Sequence, residues 1–329
     1  MSNSKHKMFQ LIRTDINFDF LGKSGPFVWA STIAAIASLV LLWAPGLNYG
    51  IDFTGGAVVQ LQVPATWDTG KVREELIAGG IKEPMVVQFG EPADHDYLIR
   101  IQADAAALNQ VSAQVEKVMN EKAGAGQFKI EKVDVVGPAA GESLRNSAFL
   151  SILYATLCIV IYIALRFDFR YAPGVLRALG VDVIITLGVW VLLQREFNLT
   201  VLAAMLTIAG YSCNDTIVIY DRIRDYTKSH PDWDLARAIN KSINLNLGRT
   251  VLTVLSTNLV VLSLFVFGGP VLQDFALPML IGFTISIPST IFVANPMILY
   301  MENRRLAKER ALKMGGQPGQ PSTSKKVRA

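Results

Sequence analysis

Asp215 lies in the run AGYSCNDT at 209–216, among small and apolar residues and six positions before the charged pair Asp221 and Arg222. Asp182 and Arg249 stand in two other apolar stretches. Placing a charge at the centre of a membrane span costs about 2.5–3.5 kcal/mol on insertion scales, so a retained one is functional by default. The chemistry open to two carboxyls and one guanidinium is proton exchange. A carboxyl isolated in a low-dielectric medium favours its neutral form, one beside a guanidinium favours the anion, and one that alternates between the two takes up and releases a proton. The driving energy suffices, at about 2.3 kcal/mol per charge per 100 mV and about 1.4 kcal/mol per pH unit.

Other chemistries find less support. Cys158 and Cys213 both fall in apolar stretches, which argues against a disulfide framework, and His6, His95 and His230 are scattered, so no metal site is expected. An intramembrane aspartyl protease would need Asp182 and Asp215 to share a proton. Such proteases resemble one another in a Gly-x-Gly-Asp motif, whereas Ser212, Cys213 and Asn214 precede Asp215 here, and a nearby arginine opposes sharing.

The elements that must hold these residues are membrane spans. The chain has 329 residues, 51% of them apolar and 18% charged, which excludes an ordinary aqueous globule. Charge-free runs at 27–44, 146–165, 197–214, 250–273 and 275–301 each approach the roughly 20 residues that cross a bilayer core, and 175–194 makes a sixth despite Arg177 and Asp182. The spans are set at 27–44, 144–165, 175–194, 197–220, 248–269 and 275–301. A cytoplasmic segment (1–26) precedes them, a cytoplasmic loop (221–247) separates the fourth and fifth, and a disordered basic tail (302–329) follows. The first span is an anchor rather than a signal peptide, because Leu42 and Pro45 spoil a cleavage site after Ala44.

Charge gives the orientation. Residues 46–145 carry nine Lys/Arg and 14 Asp/Glu, net −5, while the rest carries 22 and 13, net +9. The basic residues, Lys5, Lys7, Arg13, Lys23, Arg166 and Arg170 among them, collect on one side of alternating spans, so both termini are cytoplasmic and the long first loop faces outward. That makes the protein a multi-pass membrane protein, with lipid rather than nucleic acid as its surroundings, and in a bacterium the outward side is the periplasm or outer surface. On this topology Asp182, Asp215 and Arg249 lie at a similar depth, roughly 7–10 Å below the cytoplasmic helix ends.

The outward loop (45–143) reads as soluble. Alternation at 57–63, 85–89, 97–102 and 128–136, with helical patterns at 69–78 and 105–122, gives βαββαβ, a ferredoxin-like arrangement. The fold class is therefore a polytopic α-helical membrane protein with six transmembrane helices and one α+β ferredoxin-like periplasmic domain. That domain shows no catalytic constellation, so its role is contact with a polypeptide or partner, or that of a spacer. Within the spans, Ala203, Thr207, Gly210 and Asn214, and likewise Arg249, Thr253, Ser256 or Thr257, and Val260, recur at helical spacing. Such stripes let helices approach closely and can hold water. Thr216 adjoins Asp215. Pro278, Pro288 and Pro296 should bend the sixth span.

Several motifs together resemble one family. The sequence NYGIDFTGG at 48–56 resembles a signature of the SecD/SecF protein-export subunits. Gly210, Tyr211 and Ser212, then Asn214, Asp215 and Thr216, then Asp221, Arg222, Ile223 and Arg224, resemble the fourth-span motif of its SecF branch. Residues 249–269, from Arg249 through Leu255, Ser256 and Thr257 to Gly269, resemble the fifth. The resemblance, which extends to FDFLGK at 18–23, implies half of a twelve-helix resistance-nodulation-division transporter. It implies a SecD partner supplying the other half, the SecYEG channel and YajC as further partners, and an unfolded preprotein as cargo. It implies no cofactor, a proton gradient as energy source and no enzymatic activity. It also implies that Asp215 and Arg249 form the proton path, with Asp182 in a recurrent segment, and that Asp52, Gly55 and Gly56 make a structural turn. A proton-driven small-molecule efflux half-transporter of the same superfamily is the alternative, against which the small outward domain argues.

Overall fold

The computed structural model describes residues 17–81, 84–89, 95–101, 105–124, 127–167, 169 and 171–315. From the N-terminus, α1 (Ser24–Trp43) leads into β1 (Asn48–Tyr49) and the one-turn α2 (Ile51–Thr54). The α+β domain follows as β2 (Gly56–Gln62), α3 (Thr69–Ala78), β3 (Met85–Phe89), β4 (Asp96–Ile101), α4 (Ala105–Lys122) and β5 (Lys129–Val136). Next come α5 (Pro138–Arg166), α6 (Ala172–Leu192), β6 (Glu196–Phe197), α7 (Leu199–Ser229), α8 (Leu235–Phe267), α9 (Gly269–Ser289), a π-helical turn (Thr290–Ala294) and α10 (Asn295–Gly315). Among the described residues six helices, the last running from α9 through α10, are long and apolar enough to cross a membrane.

The domain's sheet has the order β3-β4-β2-β5, antiparallel throughout, which is the ferredoxin-like topology. Strand alternation explains its core. Ala57, Val59 and Leu61 point to one face and are fully buried against Val72 and Leu76 of α3 and Val115 and Met119 of α4. Each such valine or leucine contributes about 1.5–3 kcal/mol. Asp68 starts α3 by accepting from the Lys71 amide at 2.8 Å. The other sheet face has no helix of the domain on it.

A compact junction ties this domain to the membrane helices. β1 pairs in parallel with β6, and the Gly50 amide donates to the Phe197 carbonyl at 2.9 Å. Asp52 reaches across to accept from the Leu199 amide (2.9 Å) while Asn198 accepts from Val201 (2.9 Å), so two side chains cap the start of α7. Gly55 and Gly56 have φ of +74° and +135°. A Cβ on Gly55 would lie 2.7 Å from the Pro138 Cα, and one on Gly56 2.9 Å from the Ile101 carbonyl oxygen. Only residues without a Cβ let the chain enter β2 between the start of α5 and the end of β4.

In the bundle, α9 contacts α6, α7 and α8. The segment 221–247, read as a loop, is helical except at 230–234. Ile223, Ile239 and Ile243 bury an apolar stripe there, and helix continues wherever such a stripe finds cover. The tail begins helical too, as far as Gly315, and 316–329 lie outside the described residues, as do 1–16, Arg170, Gln102 and Gly126. The sixth span is irregular at 290–294, between Pro288 and Pro296. Pro296 has no N–H to offer the Phe292 carbonyl four residues back, and within the π-helical turn the Asn295 side-chain amide donates to the Thr290 carbonyl at 2.8 Å.

Residues 18–22 are clipped to the start of α8. Asn244 exchanges two hydrogen bonds with the Phe18 backbone (2.9 and 2.8 Å), and Asn240 accepts from the Phe20 and Leu21 amides (3.0 and 3.1 Å) while donating to Asp19 (2.8 Å). The Gly22 amide, and then Asn240, hold the Asp19 carboxyl below the usual carboxylate range.

Gly56→Ala should destabilise the chain by roughly 1–3 kcal/mol through backbone strain alone, read as a lower thermal midpoint in detergent, whereas Gly210→Ala, which meets nothing within 4 Å, should not lower it. Asn240→Ala should remove hydrogen-exchange protection at Phe20 and Leu21. Because the Asp19 carboxylate is the acceptor and its pKa is depressed, its contribution is complete above about pH 3.9. Protection at Gly22 should persist to that point and vanish only on further acidification.

Candidate functional site

Asp182 on α6 is fully buried, and Ser212 on α7 donates to its Oδ2 at 2.5 Å. Ser289 is its other polar neighbour. Its Oδ1 has no hydrogen-bond partner among the described residues. Around it the polar groups interlock: Thr216 donates to the Ser212 carbonyl (3.2 Å) and meets Thr290 on the π-helical turn (3.3 Å), and Tyr220 donates to the Ala294 carbonyl (3.2 Å). Ser212 and Thr216, four residues apart, thus form one face of α7 that serves Asp182 and the irregular turn. Arg177, five residues earlier on α6, donates to Thr32 on α1 at 3.1 Å.

Asp215 is three residues beyond Ser212, on a neighbouring face of α7. It is 6% exposed. Among the described residues nothing donates a hydrogen bond to it, and no ion pair within 4.0 Å joins it to Arg249. The Arg249 charge on α8 reaches it through space. One turn back along α7, the Tyr211 and Thr257 hydroxyls lie 3.1 Å apart and bind α7 to α8. The site is therefore a buried carboxyl with a cation close by but not seated on it.

The stripe residues face outward from this chain. Ala203, Thr207, Gly210 and Asn214 on α7 are exposed, as are Arg249 and Ser256 on α8. The hydroxyls of Thr207, Thr253, Ser256 and Thr257 each lie on the carbonyl four residues earlier, and of the four Thr257 also meets Tyr211 across the helices, so the other three line a surface. An arginine and an asparagine on the flank of an otherwise apolar bundle call for a polar or protein neighbour in the bilayer.

The structure thus places Asp215 and Arg249 on adjacent helices and puts Asp182 in a separate cluster, with no hydrogen bond between the two carboxyls. Asp52, Gly55 and Gly56 belong to the junction, about 24 Å along α7 from Asp215. The Ser212 contact left no spacing signal in the sequence, because the hydroxyl and the carboxyl stand on different helices 30 positions apart. The ion pairs Arg100–Glu196 and Arg195–Asp274 (3.0 Å), which brace the junction, gave no sequence signal because their partners are 96 and 79 positions apart.

Residues 114–304 match the C-terminal part of the SecD/SecF protein export membrane proteins, and residues 40–63 match the SecD/SecF GG motif. The protein translocase subunit SecF of Magnetococcus marinus is 42% identical over 301 residues, 90% of this chain and 96% of the relative. The chain belongs to the SecD/SecF family, on its SecF branch. Solved SecDF structures are similar as well. SecDF of Thermus thermophilus, a translocon-associated membrane protein, matches with a TM-score of 0.79 at 33% identity, over 88% of this chain and 39% of that one. SecDF in a super-membrane-facing form matches with a TM-score of 0.67 at 33% identity, over 93% and 41%. This chain therefore spans nearly all of a SecF relative and about two fifths of a SecDF chain. The GG motif of SecD/SecF proteins is the Gly55–Gly56 step described above, and the C-terminal match takes in Asp182, Asp215 and Arg249.

Ser212→Ala would remove the hydroxyl that donates to Asp182 Oδ2, a loss of about 1–3 kcal/mol for an unsatisfied buried group. The thermal midpoint should fall accordingly, and Ser256→Ala, at an exposed hydroxyl, should leave it unchanged.

Proposed function

We propose that this chain is an accessory subunit of a bacterial preprotein translocase, in which proton passage at Asp215 drives outward movement of exported polypeptide. The observation that carries this reading is a buried carboxyl that accepts no hydrogen bond among the described residues and lies within reach of the Arg249 charge. A carboxyl so placed can exchange its proton when the two helices shift, whereas a seated ion pair would hold it in one state. Asp182, already bonded to Ser212, ties α6 to α7, so that a shift of α7 against α8 carries α6 with it.

Motion at Asp215 has a direct route to the α+β domain. α7 runs without interruption from Asp215 back to its start, where Asp52 caps it, three residues before the GG step into β2. A shift or rotation of α7 is therefore delivered to the junction under the domain.

The exposed stripe with Asn214 and Arg249 is the surface a SecD-type six-helix half would cover, giving the remainder of a twelve-helix unit. SecYEG and YajC complete the assembly in this reading, with unfolded preprotein as cargo. Both termini are cytoplasmic in the inner membrane and the α+β domain is periplasmic, as the basic segments require. No cofactor takes part, and the proton gradient supplies the energy.

In inverted membrane vesicles, Asp215→Asn should abolish the gradient-dependent completion of translocation while assembly with the partner persists on co-purification. Arg249→Met should give the same loss, and Arg249→Lys should retain part of the activity because it keeps the charge. Full gradient-dependent translocation by Asp215→Asn would overturn the assignment.

A further inference from the structure

On the domain side of the bundle, the open face of the sheet stands over the ends of α6, α7 and α9. Between them lies a cleft of about 860 Å³, in the upper part of the range for ligand pockets. Its two walls differ in chemistry. The sheet wall presents Val58, Val87, Leu98 and Met85, of which Val87 and Met85 are 47% and 42% exposed. The membrane wall presents the amide side chains of Asn48, Gln194 and Asn198, of which Gln194 donates to the Val191 carbonyl and Asn198 caps α7.

Three further observations narrow the occupant. Among the described residues β3 is an edge strand of the sheet, paired with β4, and Met85, Val87 and Gln88 of that strand line the cleft. An edge strand carries a row of peptide groups free to pair with an added chain. The Arg100 side chain, only 10% exposed, bridges the walls through its ion pair with Glu196, and its Nε has no partner among the described residues. That buried donor suits a carbonyl oxygen. Finally, the lining holds three basic and four acidic side chains, so the cleft has no field to favour an anionic headgroup or phosphate and matches a chain of mixed charge.

We propose that this cleft binds an extended, unfolded segment of the exported polypeptide, with β3 taking it as an added strand, Arg100 Nε holding a carbonyl, and the apolar sheet face accepting alternate side chains. A site of this kind reads backbone and general hydrophobicity, so it takes many sequences. It lies above the α7 cap, so that a shift of α7 alters the spacing of its walls. The proposal rests on the translocase reading of the chain and adds the surface that holds the cargo.

The test uses the full chain in assembled membrane vesicles, with photo-reactive benzoylphenylalanine placed at Val87 or, as control, at Ile77, an exposed position on α3 away from the cleft. A preprotein is stalled in mid-translocation and the vesicles are irradiated. The expected result is an adduct with the preprotein from Val87 and none from Ile77, with the Val87 adduct lost when no preprotein is engaged. Equal adducts from both positions, or a Val87 adduct only with lipid or a partner subunit, would overturn the cleft as a binding site. No Val87 adduct in vesicles whose translocation still depends on this chain would overturn it and leave the translocase reading standing. Translocation indifferent to the chain would remove both.

Discussion

Hydrocarbon offers no hydrogen bonds and little screening, so each polar group kept in a span must be matched by protein or be held ready for exchange. The membrane half of this chain can be understood from how its few charges meet that constraint. Arg177 is met by Thr32, and Asp182 by Ser212. The π-helical turn in the last span is met by the Asn295 side chain and the Tyr220 hydroxyl. Asp215 alone among these is left without a direct donor, and its only compensation is the charge of a side chain on the next helix.

The same constraint explains the asymmetry of α7. One face, Ser212 and Thr216, is bound into a rigid polar cluster with α6 and the π-helical turn. The face around Asn214 and Gly210 is small, polar and outward. Asp215 lies between a fixed surface and an open one. Its helix is capped at the far end by Asp52, so the double glycine under the α+β domain and the intramembrane carboxyl belong to one mechanical element. The β1 and β6 pair and the bridge from Arg100 to Glu196 set the resting position of the domain at that end.

Much of this was legible in the sequence, for identifiable reasons. Charge-free runs reveal spans because lipid penalises charge directly, and two-residue alternation reveals the βαββαβ order because one sheet face is buried under α3 and α4. The helical extensions at 221–247 were hidden because charged residues there cover a buried stripe of Ile223, Ile239 and Ile243 that is sparse along the chain. The Asp182 partner was hidden because a hydroxyl on another helix leaves no spacing signal of its own. The stripes were visible, but their direction was not, since periodicity tells which residues share a face and not what that face meets.

The account turns on Asp215 changing protonation state, and infrared difference spectroscopy of the assembled complex in membranes tests this most directly. Across the pH range over which translocation responds to the gradient, the carboxyl C=O stretch should gain and lose intensity, and that component should be missing from Asp215→Asn. An unchanged difference spectrum in Asp215→Asn would mean that this carboxyl keeps one state throughout, and would contradict the central claim.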